Sequence, residues 1–236
     1  MREQLPSASR PTALRLRALS TRDLGFSVRL HGRALPTGLF PRLGTAFLRA
    51  YHQSFAASPH GVAVVVERDG VPIGFLLGAT RNREHLRWTL RRRGLLLAPL
   101  GALGLLRRPV LASSFIRVRL GRYVRGVVKL TRPPSSNRSA GGRSLPVSLD
   151  VAGLAHIAID PEARGHGAGG MLVTAFVEAV RDAGVGSAHL VTQSGGDGAG
   201  VFYERLGWRY VRGRVGLDGD AVSEYQLDLD RPTGGG

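Results

Sequence analysis

The stretch 154–184 limits the possible folds more than any other part of the chain. Residues 154–159 form an apolar run of strand length, closed by Asp160-Pro161-Glu162-Ala163. From Gly169 onward Leu172, Ala175, Phe176, Ala179, Val180 and Ala183 recur at helical spacing, and Gly184 ends the pattern. Between strand and helix lies Arg164-Gly165-His166-Gly167-Ala168-Gly169-Gly170, with four glycines in six residues. A buried strand that runs through glycines into an amphipathic helix is a building unit of α/β folds. Small residues there let a ligand reach the backbone. The helix start adds unpaired N–H groups and the positive end of a dipole. A pyrophosphate is the natural guest, and a turn that binds nothing needs fewer glycines.

The other elements alternate along the chain. In residues 12–18, Leu14 and Leu16 alternate with Arg15 and Arg17, as in a half-buried strand. Ser20 or Thr21 caps a short helix to Leu30, with Asp23 in its first turn. Leu39, Leu43, Ala46, Phe47, Ala50 and Tyr51 predict a second helix running to about Ala57. Strands at 62–67 and 71–79 flank Arg68-Asp69-Gly70, a hairpin signal. Residues 188–192 read as a strand, and Asp197 suits the cap of a short helix ending at Gly207. A last hairpin spans 208–217 and 222–229 around Asp218-Gly219. Together these predict one α/β domain over 12–230 with a mixed sheet, and flexible termini at 1–11 and 231–236.

Charge divides the chain differently. Of 33 Lys and Arg, 16 fall in 81–143, against one acid, Glu84, so this segment carries nearly all of the formal +16. Codon composition accounts for an excess of arginine over lysine, but not for missing acids. Binders of nucleic acid, anionic membrane or anionic substrate all look this way. The chain has no cysteine, which excludes disulfides, thiolate catalysis and sulfur-based zinc sites. No metal is expected. No apolar run reaches the roughly 20 residues of a membrane span. Residues 1–16 lack the apolar core of a signal peptide, so the expected location is cytoplasmic.

Two phosphate-binding patterns compete for the glycines. Gly165, Gly167 and Gly170 satisfy G-x-G-x-x-G, but four residues separate the strand from the first glycine and the next strand ends without an acid. Arg164, Gly167 and Gly169 satisfy R-x-x-G-x-G. With this motif, the segment resembles the GNAT superfamily of acyl-CoA-dependent N-acetyltransferases. His156-Ile157-Ala158-Ile159-Asp160-Pro161 is similar to the strand that leads into that family's pyrophosphate loop. Ala199 followed by Phe202-Tyr203-Glu204-Arg205-Leu206-Gly207-Trp208 is similar to its A-x-x-F-Y-x-x-x-G-F signature. The likeness is good over 147–229 and weaker over 12–79.

The resemblance implies a splayed sheet and acetyl-CoA as the acyl donor. Ile157 and Ile159 would part from the neighbouring strand at Leu190 and pair with pantetheine as an added strand does. Residues 164–170 would hold the pyrophosphate, with Ala199 beside the cofactor, and Tyr203 would protonate or hydrogen-bond the sulfur. Many relatives carry glutamate where this chain has Gly153, and asparagine where it has Gly196. The general base is therefore open among His156, which points away from Ile157 and towards the expected cleft, Glu67 on the hairpin, and a water relay.

The basic insert, 81–146, replaces a short connection of the family. Ile116, Leu120, Tyr123, Val124 and Val127 fall on one helical face, opposite Arg119, Arg122, Arg125 and Lys129. Residues 95–106 are too short to span a bilayer but long enough to lie on one, or to cover the domain. So basic a surface argues for an anionic small-molecule or glycan amine as acceptor, or for an anionic membrane as partner. Sparse aromatics weigh against single-stranded nucleic acid. The expectation is an N-acetyltransferase acting by direct transfer; the competing one is a non-catalytic CoA-binding or nucleic-acid-binding module.

Overall fold

A central hairpin organises the molecule. In the computed structural model, which describes residues 13–36, 39–107, 151–195, 199–216 and 220–229, β2 (Gly61–Arg68) and β3 (Val71–Ala79) pair antiparallel across the Asp69-Gly70 turn. To their left β1 (Leu14–Ala18) pairs with β2; to their right β4 (Ala152–Ile159) pairs antiparallel with β3. A parallel junction joins β4 to β5 (Ser187–Gln193). β7 (Ala221–Asp228) then pairs with β5, and β6 (Arg209–Val215) forms the edge. The order β1-β2-β3-β4-β5-β7-β6 makes a mixed seven-stranded sheet, as expected from the sequence.

Both faces are covered. On one face α5 (Ala168–Asp182) buries Leu172, Phe176 and Val180 against Val66, Leu76 and Leu154, with Tyr203 of α6 (Ala199–Arg205) and Trp208 in the same core. Alternate residues of the same strands, Val65, Phe75, Leu77 and Ala158, meet Leu30 of α1 (Leu24–Ala34) and Phe55 of α3 (Thr45–Ala57) on the other. The two-residue period of a strand sorts one apolar run into two cores.

Three expectations change in detail. A 3₁₀ turn, Thr21–Asp23, precedes α1, and Ser20 donates from N and Oγ to Asp23 Oδ2 at 2.8 and 2.7 Å. The single helix expected to run to Ala57 is two: α2 (Leu39–Arg42) ends after Pro41, and Gly44 precedes α3. The first part of the basic segment is a continuous helix, α4 (Asn82–Leu106), that accommodates Pro99 in its interior. Its Leu97, Leu100 and Leu105 pack on Leu39, Leu43 and Phe47. The amphipathic pattern of 116–129, the cap at Asp197, the hairpin turn at Asp218-Gly219, and both termini lie outside the described residues.

Candidate active site

The parallel junction of β4 and β5 is short. Only Ala152, Gly153 and Leu154 pair with Ala188, His189 and Leu190, although both strands continue. Directly after the last pair, the register of β4 against β3 slips between Leu77 and Gly78, which makes Ala155 a bulge residue. A bulge bends and twists its strand, and here it carries β4 away from β5. A gap opens between Ala155–Ile159 and Val191–Gln193, lined by strand edges with no ladder partner on that side.

At the mouth of this gap lies the glycine loop. Gly165 and Gly167 both take φ of +81°, a region that L side chains rarely adopt. Gly167 caps α5, so the unpaired N–H groups of the first turn follow it. A Cβ built on Gly165, Gly167 or Gly170 meets nothing within 4 Å, whereas one on Gly169 comes 3.3 Å from Phe202 of α6. The loop therefore presents open backbone on one side and packs against α6 on the other. Ala168 is buried beneath it. Arg68 donates to the Ala163 carbonyl at 3.3 Å, and His166 Nδ1 lies 2.7 Å from the Arg164 carbonyl. The open concave backbone at a helix N-terminus fits a pyrophosphate.

The comparisons with known proteins agree with this geometry. A family model described as the acetyltransferase (GNAT) family matches residues 111–208. The matched stretch contains both motifs, Arg164–Gly170 and Ala199–Trp208, and over it the chain is similar to that family. No curated protein sequence matches the chain. An N-acetyltransferase from Staphylococcus aureus Mu50 covers 93% of this chain and 100% of its own, at 13% identity and a TM-score of 0.56. The ribosomal-protein-S18-alanine N-acetyltransferase from Escherichia coli covers 92% and 94%, at 15% identity and 0.51. A polyamine N-acetyltransferase from Drosophila melanogaster covers 92% and 100%, at 14% and 0.51. At such identities the likeness is one of fold.

Around the gap the candidate side chains are distributed unevenly. Ile157 and Ile159 face α5, and His156 faces α1 and α3, so the strand separates them as its alternation requires. Tyr203 is buried on the α5 side beside Phe202 and Trp208, and that burial pushes its hydroxyl up to about 12. Ala199 opens α6. Glu67 sits two strands from His156 and accepts from Arg17 Nε at 2.8 Å. The same guanidinium donates twice to Asp23, so Glu67 belongs to an ion-pair cluster at the β1–β2 edge.

Sequence reading missed a histidine cluster around His156. Tyr51 Oη lies 3.1 Å from His156 Nε2. The His31 ring is 4.6 Å from the His156 ring, and His31 Nδ1 is 2.9 Å from His52 Nε2. His52 Nδ1 is 3.0 Å from Ser27 Oγ, whose hydroxyl donates to the Leu24 carbonyl. That last bond assigns the tautomers: His52 donates to Ser27 and accepts from His31. Burial lowers His31 to about 4 and His52 to about 3, and holds His156 well below its ordinary value. Each lies on a different element, so no spacing in the sequence announces the cluster.

Gly153 also has a structural reason. A Cβ there would lie 2.2 Å from the Asn82 side chain, which fills the space that a longer residue would need. Two hollows flank these groups. One of about 540 Å³ lies between α1 and α2–α3 and reaches Asp160 at the end of β4, with Phe26, Arg29, Arg33 and Leu48 in its wall. The other, about 630 Å³, lies at the opposite strand ends by Arg81, Val151 and Asp228, away from the gap.

Proposed function

We propose that this domain transfers the acetyl group of acetyl-CoA directly to the primary amine of an anionic small-molecule or glycan acceptor. The observation that carries the reading is the opened β4–β5 pair with the glycine loop at its mouth. In this reading Arg164, His166 and the backbone of 165–170 hold the pyrophosphate, and Ala199 lies beside the cofactor. The free edge at Ile157 and Ile159 pairs with pantetheine, and its N–H groups face the acyl oxygen as negative charge develops there. His156 takes a proton from the acceptor's ammonium. The amine nitrogen then attacks the thioester carbon, the carbon–sulfur bond breaks, and Tyr203 gives its proton to the departing sulfur. Tyr203 regains a proton from the acylated nitrogen, directly or through water, and His156 releases the proton it took to solvent, which balances the transfer. Burial supports both roles, since it keeps Tyr203 protonated and His156 free of a proton at neutral pH. The ion pair of Glu67 with Arg17 favours His156 over Glu67 as base.

The hollow beside Asp160 suits the acceptor. Its wall offers apolar surface and two arginines, Arg29 and Arg33; Arg33 also pairs with Asp160 at 2.9 Å. A second reading, a CoA-binding module without turnover, is favoured by Gly153 in the position where many relatives place glutamate. Thiol release from acetyl-CoA separates the two. Amino-sugar nucleotides and acidic peptides with free N-termini should exceed polyamines by about tenfold or more in kcat/KM. Calorimetric acetyl-CoA binding without thiol release on any amine would leave only the non-catalytic reading.

A further inference from the structure

The second half of α4 is apolar around its whole circumference. Its inner face packs on α2 and α3, where a Cβ at Gly104 would lie 2.4 Å from the Leu43 carbonyl oxygen, so this contact is already close. On the outer face Leu95 is 97% exposed, Leu106 78%, and Leu96 and Leu103 44% each. Exposed Pro99 and Ala102 lie between them at helical spacing. A helix of a water-soluble surface carries a polar outer face, and one that is apolar all round is covered on both sides. A contiguous exposed apolar face of this kind marks a binding surface.

Charge selects what covers it. Arg91 and Arg92, both exposed, stand one turn before Leu95 on the same face, and exposed Arg107 closes the other end. Residues 81–107 hold seven arginines against Glu84. A second copy would bring another +16 to the contact, and residues 108–150 would bring nine basic residues against Asp150. A nucleic acid satisfies the arginines and leaves the leucines in water. An anionic bilayer satisfies both, with headgroups against the guanidiniums and the acyl boundary against the leucines. We propose that the outer face of α4 docks on an anionic lipid surface, lying in its plane. Twelve residues of helix, 95–106, extend only about 18 Å, which is too short to cross. Among the described residues no helix is long and apolar enough to span a membrane.

The test is sedimentation of the full chain with vesicles of phosphatidylglycerol and phosphatidylcholine, or of phosphatidylcholine alone, at 0.1 and 1 M NaCl. Binding should require the anionic lipid and weaken at high salt, as screening shortens from about 10 Å to about 3 Å. The double variant Leu95→Ser, Leu106→Ser should lose at least about tenfold in partitioning, with melting temperature and acetyl-CoA affinity unchanged, because both side chains face outward. Arg91→Gln with Arg92→Gln should weaken binding and flatten its salt dependence. Equal partitioning of parent and leucine variant, or no partitioning of the parent, overturns the proposal. So does a lower melting temperature in the leucine variant, which would assign the face to residues 108–150. A dimer in sedimentation velocity that the variant abolishes would assign it to a second copy. None of these readouts depends on acetyl transfer.

Discussion

A single hydroxyl and a single ring carry the proposed proton transfers, and both are set by burial. Tyr203 is packed among Phe202, Trp208 and Tyr225, and desolvation holds its proton far above neutral pH. Tyr203→Phe keeps this packing and removes the acid, so turnover should fall about 10²-fold or more while acetyl-CoA affinity changes little. Steady-state kinetics beside calorimetry check this, and unaltered turnover would return Tyr203 to the core. On the opposite face His156 depends on partners from two elements, α1 and α3. Tyr51 fixes one nitrogen, while His31, oriented by His52 and Ser27, packs against the ring. The desolvation that keeps these imidazoles neutral also lowers an ammonium buried beside them, which brings donor and acceptor closer in proton affinity.

Strand, loop and helix act as one device at the next scale. The bulge at Ala155 opens the gap, and the left-handed turn at Gly167 aims the start of α5 at its mouth. Gly167→Ala and Gly167→Val both strain a φ of +81°, but only valine adds a branched side chain to the open side of the loop. Both variants should therefore lose similar stability, about 1–2 kcal/mol. The valine variant should in addition weaken acetyl-CoA binding about tenfold or more relative to alanine, measured by calorimetry. Equal affinities in the two variants would place the pyrophosphate elsewhere.

For the whole molecule, the buried histidines predict an acid-sensitive fold. His31 and His85 sit near 4 and His52 near 3, in each case chiefly through burial, and His85 stacks on Phe55 at 4.3 Å. In the unfolded chain each titrates near its ordinary value of about 6.5. Below that value the unfolded state binds protons that the folded state refuses, so stability is full above it and falls with pH. Each such histidine contributes about 1.4 kcal/mol per pH unit until its folded value is reached. Asp23 acts later: Arg17 holds its carboxyl well below the usual range, and its contribution disappears only below about pH 4. Calorimetry should find the melting temperature level from pH 8 to 7 and falling steeply from 6.5 to 4.5. Unfolding at pH 5 should take up about four protons, one each for His31, His52, His85 and His156. A level melting temperature through that window would mean that the histidines are not held neutral.

Local patterns in the sequence determined most of the elements, because each rests on residues that are neighbours in the chain. The Asp69-Gly70 hairpin, the apolar period of α5, its stop at Gly184 and the glycine loop before it are all of this kind. The two linked motifs, at Arg164–Gly170 and Ala199–Trp208, made the family resemblance legible for the same reason. Longer-range facts decided the rest of the site. Simple alternation from Leu154 would put His156 in the α5 core, and the bulge at Ala155 turns it to the α1–α3 face instead. Glu67 is a free carboxylate in the sequence, and only the pairing of β1 with β2 brings Arg17 onto it. The run of leucines in 95–106 admits several structures, and contact with Leu39, Leu43 and Phe47 selects a helix despite Pro99. His31, His52 and His156 meet across 21 and 104 positions of chain, because α1 and α3 pack on one face of β4. Register, burial and charge pairing arise between segments, and a one-dimensional pattern carries no term for them.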